Sequence, residues 1–485
     1  MKPFPPPWRR LAPLVFPALL AACAVGPDYH TPTPHELLPQ HFPPEVASVP
    51  AQPLAASAGP WWHAFHDPAL DALVQAALTH SPDLDSADAA IRQSRAVLGE
   101  VGAPALPQVD AQARVGRDQF STHSENFANI PFPNPKTGFT DYRVGFDASW
   151  EIDLFGHTRR SVQAAEARLG GVQEQRADAA LRVAAETARN VLDYRYAQLR
   201  LTNARRALDD RRELRRLVGL AERAGMASQV ELNQADIELR NAEAALAPLR
   251  SASAAAVAAL GPLTALPHER IAALLATPVA PPILPARPPM DSTTQLLQRR
   301  PDLRAAERDL AAATANIGVA VSDQYPRLAL VGDAGWDSIH AGMLTDPASR
   351  FWNAGPQLSL PLFAGGRLHE QVKAAEAQRD AALANYRKAV LVAFADVESA
   401  LARCRDDHDR AQRLEAAQAT QARQLAYARQ RVQVGDSAQT DALGADLATA
   451  AVDDQLLAAR QALATDVVAL YKALGGPPGP ADAPR

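Results

Sequence analysis

The sequence is short of cysteine, of long apolar runs and of positive charge. Two cysteines, Cys23 and Cys404, stand in 485 residues, so no disulfide framework supports the chain and its stability has to come from packing. A formal charge of −5 and a pI near 6.2 offer no basic footprint, which excludes nucleic acid as a partner. Beyond the first residues no stretch of ~18 or more apolar residues occurs, so no membrane-spanning helix is expected. Motifs of catalysis are missing too: there is no His-Glu-x-x-His pair, no phosphate-binding glycine loop and no nucleophile clustered with a base. The reading is a non-enzyme without cofactor or metal.

What is present is alternation. Tyr142, Val144, Phe146, Ala148, Trp150, Ile152 and Leu154 fall on one side of an extended strand, and Arg143, Gly145, Asp147, Ser149, Glu151 and Asp153 on the other. An ordinary strand has ~5 to 6 residues, whereas one crossing a bilayer at a tilt needs ~9 to 11. The same pattern recurs at about 107–117, 327–337 and 352–363, giving four candidate membrane strands at ~107–117, ~142–154, ~327–337 and ~352–363. The N-terminus opens with Lys2, Arg9 and Arg10, runs through apolar Leu11 to Ala22 and closes on Cys23. That ending resembles the lipobox of bacterial lipoproteins, which implies removal of residues 1–22, lipidation of Cys23 and, with Ala24 following, the outer membrane.

A proline-rich segment, 23–66, precedes two copies of one programme: helix, strand pair, long helix, turn, return helix. Pro82-Asp83-Leu84 matches Pro301-Asp302-Leu303 at a spacing of 219, which also carries Gly99 onto Gly318, Pro107 onto Pro326 and Gly116 onto Gly335. Leu154-Phe155 matches Leu362-Phe363 at 208, and Ala164-Ala165-Glu166-Ala167 matches Ala374-Ala375-Glu376-Ala377 at 210. The chain therefore divides into repeat 1 (67–261), a proline-rich bridge (262–290), repeat 2 (291–474) and a tail (475–485), an internal duplication. Each repeat carries a helical rod far longer than a globular core needs. In the second rod Leu383, Tyr386, Val390, Phe394, Val397, Leu401, Cys404, His408 and Ala411 make a coiled-coil seam.

Four strands cannot close a barrel, and an open edge in lipid would leave backbone groups unsatisfied. Strands have to be borrowed from further copies: three chains leave a lumen, two would fill it, and a cyclic trimer fits a pore better. The fold class expected is a mixed α/β membrane protein, a trimeric 12-stranded barrel continued by a long helical coiled-coil barrel. Asp147, Glu151, Asp153 and Asp333, with Asp110 and Asp337, would line the lumen against Arg114 and Arg143 and favour cations.

Motifs spread over the mature chain carry a family resemblance. They are Cys23-Ala24-Val25-Gly26-Pro27-Asp28-Tyr29, Trp61-Trp62, Asp67-Pro68, Ser81-Pro82-Asp83-Leu84, Trp150-Glu151-Ile152-Asp153-Leu154-Phe155-Gly156, Arg300-Pro301-Asp302-Leu303, Pro361-Leu362-Phe363-Ala364-Gly365-Gly366 and Leu470-Tyr471-Lys472-Ala473-Leu474-Gly475-Gly476. In order and spacing they resemble the TolC-like outer-membrane efflux proteins, in the NodT-type lipoprotein branch. The resemblance implies a homotrimer in outer-membrane lipid with a periplasmic helical extension, working with a periplasmic adaptor (membrane fusion) protein and an inner-membrane RND-type pump. It also places adaptor docking at the two helical turns, Arg223, Gly225 and Ser228 in one and Val434, Gly435 and Ser437 in the other, with Asp436 and Asp441 as gate candidates. Two rival readings are the exit duct of a type I protein-secretion system and a periplasmic coiled-coil adaptor or scaffold lipoprotein.

Overall fold

The computed structural model describes residues 24–33, 60–121, 137–277 and 299–476. The first repeat opens with two helices, α1 (Pro68–His80) and α2 (Pro82–Gly102), where the sequence suggested one. Pro82 has no N–H to continue α1 and is suited to the first position of the next helix, so the chain breaks at Ser81. β1 (Gln108–Gln119) and β2 (Gly138–Ile152) follow, then α3 (His157–Arg223), 67 residues long, which is about 100 Å of helix at 1.5 Å per residue.

The return arm, expected as one helix, is split into α4 (Gln229–Ala244) and α5 (Leu246–Thr264). Pro248 cannot donate to the carbonyl of Ala244, and the ladder ends there. By length and composition alone the stretch Gln229–Thr264 would qualify as a membrane span, which corrects the expectation that none exists. Its apolar side is otherwise used: Leu246, Val257, Leu260 and Leu263 are buried, and α5 packs on α1. The bridge holds α6 (His268–Leu275), which buries Ile271 and Leu275 and which its prolines had hidden.

The second repeat contains α7 (Pro301–Ser322), β3 (Arg327–Ser338), β4 (Arg350–Ser359), α8 (Arg367–Gln433) and an unbroken α9 (Gln439–Ala473). On α8 the seam residues Tyr386, Val390, Phe394, Val397, Cys404 and Ala411 are buried, while His408 is exposed and reaches Gln412 at 2.9 Å. Burial pushes the Cys404 thiol up to about 12, so it stays an unreactive filler of the seam.

The chain forms two compact units. The first takes the described residues to Thr31, with Arg92–Gly171 and Glu307–Asn385, and contains the sheet. The second takes the described residues of Pro32–Ile91, with those of Val172–Ala306 and Tyr386–Arg485. Its core is aliphatic and alanine-rich, centred on Leu70, Leu73, Val191, Leu192, Tyr196, Leu260, Ile271, Leu456 and Leu470, with Trp61 stacked on Tyr471 at 5.1 Å. Alanines let long helices approach closely, and the larger side chains fill what remains.

The sheet is antiparallel throughout, in the order β1-β2-β3-β4. Its register aligns the alternation of all four strands. Ala111, Phe146, Ala334 and Trp352 share one row and Val109, Ala148, Gly332 and Ala354 the next apolar row; between them lies the row Asp110, Asp147, Asp333 and Asn353. The sheet therefore has one apolar and one polar face, and Val109, Phe146, Trp352 and Leu358 stand exposed on the apolar one.

Candidate functional site

The polar face is built around Arg143. Its guanidinium donates to Asp333 at 2.8 Å, lies 4.0 Å from Asp337 and sits over the ring of Phe351 at 4.2 Å. Phe351 is the surprise on this face, an aromatic among polar neighbours held by a cation–π contact. Gly145 and Gly335 face each other across β2 and β3, and a Cβ on Gly145 would meet the Ala334 carbonyl oxygen at 2.7 Å. Of the predicted lumen acids, Asp147 and Asp333 share a row, and Glu151 stands further along the same face, 4.0 Å from Arg327. Asp153 lies one residue past the strand: its carboxylate accepts the backbone N–H of Arg159 at 2.9 Å, and the Arg159 side chain at 3.3 Å.

Where the strands end, the segment that begins at Ala24 is strapped down. The Val25 N–H donates to the Phe155 carbonyl at 3.1 Å, and Gly156, at φ +87°, leaves room for Ala24. Arg160, almost wholly buried, donates to the carbonyls of Val25 at 3.1 Å and Gly26 at 3.3 Å and pairs with Asp28 at 2.9 Å. Further on, Tyr29 donates to Glu307, and burial with that carboxylate raises the phenol well above its ordinary value. Cys23, the expected lipidation residue, lies outside the described residues. Arg160 was not singled out from the sequence, yet a signal existed. Arg159 and Arg160 fall in the first turn of α3, where the helix dipole disfavours positive charge and no acid accompanies them, so both draw acceptors from outside the helix: Asp153 for Arg159 and the distant residues 25–28 for Arg160.

The two helical turns repeat one construction. After Arg223, Gly225 adopts φ +72°; Met226 N–H donates to Ala221 at 2.8 Å and Gly225 N–H to Glu222 at 2.9 Å, a Schellman motif. In the second repeat Gly435 adopts φ +77°, Asp436 N–H donates to Arg431 at 2.9 Å and Gly435 N–H to Val432 at 3.1 Å. Ser228 then caps α4 through a box with Glu231, whose carboxylate the Ser228 amide and hydroxyl hold below its ordinary value. At the other turn the cap position is Ala438, which has no side-chain oxygen, and Asp441 answers from inside the helix. Its carboxylate accepts the Ser437 hydroxyl and the Ala438 N–H at 3.3 Å. Asp436 is held by Arg431 at 2.9 Å. Both candidate gate acids thus brace the turn that carries them, and Val434 and Met226 project into solvent.

In the second unit a buried pair joins three segments. Arg195 grips Asp67 with both ends of its guanidinium, at 2.8 and 3.2 Å, and donates to the carbonyls of Leu275 and Thr277, each at 2.9 Å. Asp67 meanwhile caps α1, accepting from Ala69 at 2.9 Å, so both charges are fully hydrogen-bonded. Among the described residues no group of three or more His, Cys, Asp or Glu side chains is placed to hold a metal ion.

Comparison with known proteins agrees with this geometry. The profile of the outer membrane efflux protein family matches residues 73–265 and 293–476, one segment for each repeat. Nodulation protein T of Rhizobium leguminosarum bv. viciae is 30% identical over 476 residues, covering 96% of this chain and 93% of that protein. The pyoverdine export outer membrane protein OpmQ of Pseudomonas aeruginosa is 30% identical over 431 residues, covering 86% and 87%. Among solved structures, the outer-membrane channel OprN superposes with a TM-score of 0.79 at 29% identity, covering 94% of this chain and 99% of that one. The Campylobacter jejuni CmeC outer membrane channel has the same fold, with a TM-score of 0.82 at 22% identity over 94% and 95%. With two matched segments, long helical hairpins and a sheet whose apolar face is bare, this chain belongs to the outer membrane efflux protein family, as an outer-membrane channel subunit of an efflux system.

Proposed function

We propose that three copies of this chain pool their strands into one barrel, polar faces inward, and that the barrel is a passive conduit through which small toxic compounds leave the cell. An adaptor docks at the turns around Gly225 and Gly435, an inner-membrane RND-type pump supplies the energy, and the lipid on Cys23 fixes the assembly to the outer membrane. The chain itself performs no chemistry. The observation that carries this reading is the register: the apolar runs of four long strands line up on one face, where Val109, Phe146, Trp352 and Leu358 stand exposed. In lipid the outer edges of β1 and β4 would each leave unpaired backbone groups at a cost of several kcal/mol per group, and only closure with further copies removes them.

Asp110, Asp147 and Asp333, side by side on the polar face, give the lumen its cation preference, with Glu151 further along. Asp436 and Asp441 narrow the far end while bracing their turn.

The test is the native mass of the detergent-extracted, lipidated protein, followed by conductance in planar bilayers. Three copies with a cation-selective conductance that falls in an Asp147→Asn/Glu151→Gln variant are expected. A stable monomer would replace the conduit by a lipid-anchored helical scaffold. Deletion of the gene separates export of small molecules from protein secretion, since only the former raises intracellular dye accumulation while leaving secreted proteins unchanged.

A further inference from the structure

The sheet has one seam between its repeats inside the chain and two edges outside it, and the duplication relates them. At the inner seam Phe155 stacks on Tyr325 with ring centroids 4.8 Å apart, in line with the pairing that sets Ile152 opposite Leu328. The repeat puts Leu362-Phe363 where Leu154-Phe155 stand and Leu106-Pro107 where Tyr325-Pro326 stand. Within the chain these residues are uncovered: Phe363 is 93% exposed and Leu106 68%.

We propose that β4 of one copy pairs antiparallel with β1 of the next in the register that lays Phe363 on Leu106 as Phe155 lies on Tyr325. This rests on the closed barrel proposed above and adds which residues meet. The register sets Leu358 opposite Ala111, Leu360 opposite Val109 and Ala354 opposite Val115, apolar against apolar, and Gln357 opposite Gln112 on the polar face. An odd shift would put apolar residues of one copy against polar residues of the next and bury the wrong face.

Barrel geometry and the aromatic step choose among the even shifts. Crossing the sheet along one row leads from Asp110 to Asp147, Asp333 and Asn353. The proposed pairing continues from Asn353 to Gly116 of the next copy, six residues along β1 from Asp110. Around three copies that advance tilts the strands by roughly 45°, at the upper end of the ~35–45° that barrels use. Moving the pairing by two residues one way brings Asn353 to Asp118 and the tilt to roughly 55°, beyond that range. Moving it the other way gives roughly 35° but sets Phe363 against Pro104 and Leu106 against Pro361, and the aromatic step loses its partner.

The experiment uses the full-length, lipidated protein with Cys404→Ala as background. Ala111→Cys is combined in turn with Pro356→Cys, Leu358→Cys and Leu360→Cys, the membranes are oxidised, and the products are separated without reductant. Linked dimers and trimers are expected from the Leu358→Cys pair alone. Linkage through position 356 or 360 in its place overturns the register. No linkage at 358 in a protein whose native mass is three copies also overturns it, while leaving the barrel intact; a native mass of one copy removes both. As a second reading, Phe363→Cys should resist a membrane-impermeant maleimide in the assembled protein and label after dissociation in urea. Prompt labelling of the assembled form overturns the contact.

Discussion

Phe155 and Phe363 occupy matching places in the two repeats and have opposite surroundings. Phe155 is stacked on Tyr325, its carbonyl accepts from Val25, and the glycine after it shelters Ala24. Phe363 stands in the open, followed by Gly365 and Gly366, both at positive φ and with nothing near enough to meet a Cβ. The end of β2 completes its contacts within the chain, and the matching end of β4 stays uncovered. A duplication that began symmetric has thus divided its work, one strand end holding the N-terminal strap and the other offering an interface.

The contrast can be broken most severely at the inner seam. Gly335→Val would drive a side chain into the backbone of Val144 and Gly145, and we expect no assembled protein in the membrane by native electrophoresis. Gly355→Val, on the same polar face but in β4 with open space around it, should assemble as the parent does. Next in size is the buried pair of the second unit. Arg195→Met leaves Asp67 buried without its partner and should cost about 3–5 kcal/mol in denaturant unfolding. Arg405, which the 210-residue spacing sets in the matching place of repeat 2, is exposed, and Arg405→Met should fall within about 0.5 kcal/mol of the parent.

The two turns test where the repeats remain alike. Gly225→Ala and Gly435→Ala each force a side chain into the left-handed region, and each should destabilise by about 1 kcal/mol, read as matching losses in melting temperature. Unequal losses would mean that the turns are not equivalent.

The smallest effect is a difference in pH response between the return arms. Asp466 on α9 is pushed up to about 6 by burial and by a hydrogen bond with Asp407, with Arg403 opposing. Its folded value lies above its unfolded one, so the folded state holds the proton longer and stability declines as pH rises from about 4 to about 6. Asp466→Asn should flatten the melting temperature across that window. The position 210 residues earlier is Ala256, so the first return arm contributes no such slope.

Much of this was legible in the sequence because it depends on period and spacing. Alternation over Tyr142–Leu154 gave the strand, its two faces and its kinship with the other three. The spacings 219, 208 and 210 gave the duplication, and Ser228 followed three residues later by Glu231 has the pattern of the capping box that the structure shows. Local breaks were harder to read. Pro82 and Pro248 split helices that the pattern ran together, and α6 was hidden among prolines because eight residues carry little periodicity. The Arg160 strap and the Arg195 hub were harder still, since Asp28 and Asp67 lie more than a hundred residues from their partners.

By itself the sequence determined which faces are apolar, that the strands and rods are long and where the chain turns, because these follow from side-chain chemistry repeated at fixed intervals along one backbone. Tertiary structure alone decided which arginine meets which carboxylate, that Phe351 lies under Arg143 on the polar face, and that Asp153 leaves the strand to cap a helix. The reason is physical: a hydrogen bond or a ring contact is fixed over a few ångströms in space, and nothing in the local order of residues encodes which distant segment will arrive within that distance.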